Sequence, residues 1–179
     1  SPRKKEKFPS LNFLHIANLK APIFQMLYRF DENAIFSKVY ITRLERDFFT
    51  GKRGSDLVFY YEDLEMLRYN QANWISSLND NLNQLSAKLL AEEIELIFMP
   101  VVNKYTLYQD FVVSQYYPKS TFFELLRKQE KKYIFVDTKA ILSDALRIQT
   151  KDIFFADDSH WGEKGRELVV KGIWGNPNP

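Results

Sequence analysis

The chain has 179 residues, 45% hydrophobic, 16% aromatic and 27% charged, enough for one ordinary domain with its own core. That balance excludes a disordered chain, and 6 Gly with 7 Pro exclude collagen-like and low-complexity architectures. Lys and Arg number 25 against 23 Asp and Glu, a net charge of +2 that gives no sign of a nucleic-acid binder or a trap for acidic substrates.

Residues 1–10 read as a basic flexible lead. They carry no apolar stretch of the kind a secretory signal needs and suit a processed end. Residues 11–50 read as mostly helical. Ile35, Val39, Leu44 and Phe48 are spaced for one amphipathic helix. Gly51 to Ser55 is a turn. Leu57 to Tyr61 is a nearly continuous apolar run, the signature of a buried strand. Ile75, Leu78, Leu82, Leu85 and Leu89 then recur every three or four residues and define the clearest helix. Asn79, Asp80, Asn83, Gln84 and Lys88 fall elsewhere around it.

Leu96 to Met99 is a second strand, stopped by Pro100. Residues 101–119 form a connection rich in tyrosine. Thr121 to Lys132 reads as a helix with Ser120 as its cap. Tyr133 to Val136 is a third strand, Thr138 to Leu146 a short helix, Ile153 to Phe155 a short strand and Gly162 to Trp174 the last helix. Strands alternate with helices from about residue 57. That order predicts a three-layer α/β/α sandwich with a mostly parallel sheet and a single α/β domain over 11–179.

The absence of cysteine excludes a disulfide framework, a zinc–thiolate site and a cysteine nucleophile. No apolar run approaches the roughly 20 residues of a membrane span, so the chain reads as a soluble domain. With only His15 and His160 present, an imidazole base has two candidates. His15 lies in an apolar stretch and reads as structural.

The informative segment is Phe155 to Gly165, which follows a strand-like triplet and opens a helix. Ligands of open parallel sheets sit at the carboxyl ends of the strands. This loop places Asp157 and Asp158 within three residues of His160. A carboxylate holds an imidazole in one tautomer and stabilises its protonated form. The plainer alternative makes Asp158 or Ser159 the cap of the last helix, with His160 a surface residue.

Asp157-Asp158-Ser159-His160-Trp161 followed by Gly162-Glu163-Lys164-Gly165-Arg166-Glu167-Leu168 resembles the last block of the SGNH (GDSL-like) hydrolase superfamily, which reads Asp-x-x-His, a turn with Gly and the C-terminal helix. The His-Trp pair is similar to its alginate O-acetyltransferase-like branch. Gly54 to Tyr61, the segment from Leu96 through Pro100, Asn103 and Lys104 to Tyr108, and Phe135 to Thr138 with Leu142 resemble earlier blocks of that branch, in order over residues 54–174. The resemblance implies an acyl esterase or O-acetyltransferase acting on a carbohydrate polymer through Ser, His and Asp, without a cofactor. His160 would be the base, and Asp157 or Asp158 would orient it. Asn103 and Lys104 follow a strand and Pro100, which places them at the sheet edge as substrate contacts or, alternatively, as a turn asparagine and a solvated lysine. Tyr108 reads as a substrate contact or a packing residue, and Trp161 as a wall of the pocket or the core anchor of the last helix. The tyrosines at 105, 116 and 117 offer further stacking faces.

The family's Gly-Asp-Ser nucleophile block is absent: Gly54-Ser55-Asp56 has the letters in another order and precedes a strand. The serine is therefore expected outside this chain, before Ser1 in the classical order or after Pro179 in the permuted order. The Gly175 to Pro179 ending reads as a chain end and favours the first. The resemblance further implies an extracytoplasmic setting, in the periplasm or cell envelope, and a membrane-bound acyltransferase as partner. Two other readings stand beside this one. One is a noncatalytic carbohydrate-binding or scaffold domain. The other is a metal-dependent hydrolase using Asp157, Asp158 and His160.

Overall fold

A computed structural model describes residues 23, 26–34 and 37–174. The expected basic lead over 1–10 and His15 lie outside the described residues, as does Ile35. The fold is mixed α/β, and among the described residues no helix is long and apolar enough to cross a membrane.

The first difference from expectation is near the start. Val39–Arg43 is a strand, β1, not part of a helix. It pairs antiparallel with β2, Asp56–Tyr60, in the register Val39 to Tyr60 through Arg43 to Asp56. Val39-Tyr40-Ile41-Thr42 is a run of β-branched and aromatic residues, which suits a pleated surface better than a helix. The helical spacing of Val39, Leu44 and Phe48 was coincidental. Leu44 and Phe48 reach the core from the loop after β1. Along β2 the pattern alternates, with Leu57 and Phe59 fully buried.

Helix α1 (Tyr61–Glu65) leads through a 3₁₀ turn into α2 (Ala72–Leu90). Ile75 anchors α2, but Leu85 is exposed and the docked face is largely polar. Asn79 is buried; its amide donates to the Glu130 carbonyl at 2.9 Å and its oxygen accepts from the Tyr133 hydroxyl at 3.0 Å. Asn83 bridges Glu130 and Lys132, and Ser86 donates to the Lys132 carbonyl. These side chains satisfy loop carbonyls and an amide that would otherwise be left without partners.

Strand β3 (Ile97–Phe98) pairs parallel with β4 (Ile134–Phe135). Between them lie α3 (Lys104–Tyr108), a 3₁₀ turn and α4 (Phe122–Arg127). Ser120 does not cap α4: it sits buried, with its amide donating to Gln109 and its hydroxyl accepting from Asn70. Helices α5 (Thr138–Arg147) and α6 (Glu163–Trp174) follow β4. The described residues thus form two two-stranded sheets, one antiparallel and one parallel, where one mostly parallel sheet was expected.

The core is aromatic. Tyr108 packs against Phe48 at 5.3 Å, Phe49 at 5.4 Å and Phe154 at 6.2 Å, and Phe59 against Tyr105 at 4.8 Å. Buried Thr138 ties the segment after β3 to α5, donating to the Pro100 carbonyl at 2.7 Å and accepting from the Val102 amide at 3.0 Å.

Helix α6 lies directly on the chain at Ile153. A Cβ added at Gly165 would stand 2.3 Å from the Ile153 carbonyl oxygen. Gly165→Ala is therefore expected to destabilise the fold by about 3 kcal/mol, since the neighbour is backbone and cannot swing aside. Urea unfolding checks this; a midpoint unchanged from wild type would show that α6 sits farther from Ile153.

Candidate functional site

The loop that carries the acid–histidine segment is closed like a hairpin. Phe154 and Trp161 form an isolated antiparallel bridge. The Gly162 amide donates to the Ile153 carbonyl at 2.8 Å, and the Phe155 amide to the His160 carbonyl at 3.2 Å. Ile153 and Phe154 are buried, so the stem is anchored in the core while the tip, 155–160, faces solvent. The expected strand over 153–155 is reduced to that one bridge.

At the tip, His160 Nδ1 lies 2.6 Å from Asp158 Oδ1, and the His160 amide donates to the same oxygen at 3.2 Å. The hydrogen bond from the imidazole, chief among several, holds the Asp158 carboxyl below the usual carboxylate range. The His160 side chain is 79% exposed, and no hydrogen bond to its Nε2 is seen among the described residues. With Nδ1 tied to the carboxylate, Nε2 is the nitrogen free to exchange a proton with a ligand. Asp157 is exposed and makes no contact with His160 among the described residues. Of the two carboxylates left open by the sequence, Asp158 is the one beside the imidazole. Neither Asp158 nor Ser159 caps the last helix, because α6 begins only at Glu163.

Lys104 holds this loop from below. Sequence reasoning placed it against substrate, but it is fully buried. Its Nζ donates to the carbonyls of Phe155 at 2.8 Å, Ala156 at 2.9 Å and Asp158 at 3.1 Å, and lies 4.7 Å from the Phe49 ring centre. Three donors meet three acceptors, which is the full capacity of an ammonium. Burial pulls its pKa down to about 8, opposed by the charges of Asp157, Asp158 and Asp63.

The other expected contact residues are likewise redirected. Tyr108 is fully buried beside the Phe154 backbone, and burial pushes its hydroxyl far above the ordinary range. It packs the core and presents no face to a ligand. Tyr105 is also buried, its hydroxyl donating to the Pro118 carbonyl. Asn103 caps α3, its Oδ1 accepting from the Thr106 amide at 2.7 Å. Trp161 is half-buried; its indole donates to the Val102 carbonyl at 3.3 Å and meets Phe154 edge-on. It anchors the loop instead of walling a pocket. Of the four stacking candidates only Tyr116 is freely exposed, and the Tyr117 hydroxyl donates to Glu32.

A cleft of about 460 Å³ lies against the stem of the loop, lined by Phe154, Phe155 and Ala156 together with Asp152, Glu163, Lys164 and Glu167, and not by Asp158 or His160. Among the described residues no three carboxylates or imidazoles converge on a point that could hold a metal ion. Comparison of the chain with family models, with curated proteins and with solved structures returns no match.

Proposed function

We propose that this chain supplies the histidine–aspartate part of an SGNH-like acyl esterase or O-acetyltransferase acting on a carbohydrate polymer, with the nucleophilic serine outside residues 1–179. The observation that carries the proposal is the 2.6 Å contact of Asp158 with His160 Nδ1 on an exposed loop, with Nε2 open to solvent. A triad needs this arrangement before its nucleophile arrives. The proposed setting is a three-layer α/β/α sandwich in the cell envelope, with a membrane-bound acyltransferase as donor partner.

In this reading the serine Oγ gives its proton to His160 Nε2 as it attacks the ester carbonyl carbon. The tetrahedral oxyanion collapses, the leaving oxygen takes the proton from His160, and an acyl-serine remains. Water or a sugar hydroxyl then gives a proton to His160 and attacks the acyl carbon, and His160 returns that proton to the serine. Asp158 stays ionised and orients the ring.

Hydrolysis of 4-nitrophenyl acetate by the full-length protein tests this. His160→Ala is expected to lower turnover by a factor of about 10³ or more. Equal rates for the two proteins would sink the proposal. The second reading, a noncatalytic carbohydrate-binding or scaffold domain, is favoured by one fact: no serine hydroxyl contacts the imidazole among the described residues.

A further inference from the structure

A cleft of about 450 Å³ opens between α1, α2, the segment after β3, and α4. Its floor includes Ile75 and Phe123, both nearly inaccessible, while Met66, Trp74 and Val101 stand more than half exposed at its walls. Leu67, Leu78 and Phe122 complete a lining that is mainly apolar. The volume is about three times the roughly 150 Å³ that suffices for benzene in a dry protein cavity, and lies within the span of small-molecule sites.

Its polar residues are Asp63, Tyr69, Asn70, Asn103, Thr106 and Ser120. Asn70 donates to the Ser120 hydroxyl at 2.9 Å, and Asp63 and Asn103 are the pair that bears on the choice of ligand. Asn103 gives its oxygen to the Thr106 amide, which fixes the orientation of its carboxamide and leaves the Nδ2 hydrogens for an acceptor in the cleft. The Asp63 carboxyl accepts from the Tyr60 amide through one oxygen, leaving the other for a donor. No Lys or Arg lines the cleft; the buried Lys104 acts on Asp63 electrostatically, but an anion in the cleft would meet the Asp63 carboxyl with no cation on the lining to bond. Burial also raises the Asp63 pKa, so this carboxyl is poorly disposed toward further negative charge.

We propose that this cleft is a binding site for an uncharged molecule with a ring-sized or medium-chain apolar body and a carboxamide-like head, the head bonding Asn103 Nδ2 and Asp63. The apolar body would be covered by Trp74, Leu78 and Phe122. The site adjoins the His160 loop only through the shared segment Val101 to Lys104, and the inference does not rest on acyl-transfer chemistry.

Titration of the full-length protein with octanamide and with octanoate, followed by Trp fluorescence and confirmed by calorimetry, tests the assignment. Octanamide is expected to bind saturably with a Kd of about 0.1–1 mM. Octanoate is expected to bind at least about tenfold more weakly, from charge repulsion and the lost donor. Leu78→Trp, which fills the cleft, is expected to abolish binding. Asn103→Asp keeps the oxygen that caps α3 but removes the Nδ2 donor, and is expected to weaken octanamide about three- to tenfold. Should Leu78→Trp fail to fold, the Asn103→Asp comparison decides. Absence of saturable octanamide binding, equal affinity for octanoate, or binding untouched by Asn103→Asp would each overturn the assignment. None of these readouts requires turnover, so they stand or fall apart from the acyl-transfer proposal.

Discussion

Asp158→Asn is expected to lower ester turnover of the full-length protein by a factor of about 10²–10⁴, whereas Asp157→Asn changes it less than about twofold. The asymmetry follows from the loop. Asp158 Oδ1 meets both the imidazole Nδ1 and the His160 amide, so one carboxylate oxygen fixes ring and backbone together. An asparagine of the same shape retains an oxygen for the amide but loses the charge that favours a protonated ring. It also offers an NH₂ group that can hold the imidazole in the wrong tautomer. Asp157 has no such contact, and its charge acts on the buried ammonium of Lys104. The dyad stands in water, so its contribution to stability is small and the two variants should melt alike. Steady-state kinetics and thermal unfolding of both variants check the pair. Equal losses at the two positions would show that Asp158 does not orient His160.

Lys104→Met should cost about 1–3 kcal/mol of stability near neutral pH and lower turnover about 100-fold, even though the residue touches no substrate. Methionine matches the stem in length but leaves the carbonyls of Phe155, Ala156 and Asp158 without their common donor. The loop then keeps its stem bonds at Ile153 and Phe155 and the Trp161 bond to Val102, but the carbonyls of the tip lose the donor that ties them to α3. In the proposed reaction Lys104 would act through that loop as a positioning residue, with a signature that includes pH. Its folded pKa is about 8 against an ordinary 10.5. Between those values the unfolded chain binds more protons than the folded one, so stability from this group rises with pH across the window and is lost as pH falls through about 8. The wild-type advantage over Lys104→Met should therefore grow by roughly 3 kcal/mol from neutral pH to above about 10.5. Urea titrations across that range measure it; a constant difference would show that Lys104 titrates normally.

These two residues also mark what a sequence can and cannot tell. Helix α2 is legible in the apolar spacing from Ile75 to Leu89, and β2, β3 and β4 in short apolar runs. The acid–histidine segment was legible because three chemically distinctive residues sit within four positions. Strand β1 was not, because the spacing of Val39, Leu44 and Phe48 also fits a helix. Its true state depends on pairing with residues 56–60. The docking of α2 through Asn79, Asn83 and Ser86 was hidden for a similar reason. Polar residues read as a solvated face unless the carbonyls of Glu130 and Lys132 are known to lie opposite.

From its place after Pro100, Lys104 reads as a substrate contact, whereas in the fold it holds the loop from within. Its three partners lie more than 50 positions away, and a lysine among apolar neighbours reads as exposed until the fold closes over it. Tyr108 was misassigned in the same way, since aromatic rings serve cores and sugar platforms alike. Asp158 and Asp157 could not be separated by letters alone; the turn that brings residue 158 back onto residue 160 separates them.

The central claim is that His160 is the general base for a serine carried elsewhere in the protein. The most direct measurement reacts the full-length protein with a fluorophosphonate probe and maps the modified peptide, in parallel with His160→Ala. A single labelled serine outside residues 1–179 is expected, with labelling lost in the variant. An intact, folded protein that takes no label, or one that labels equally without His160, would contradict it.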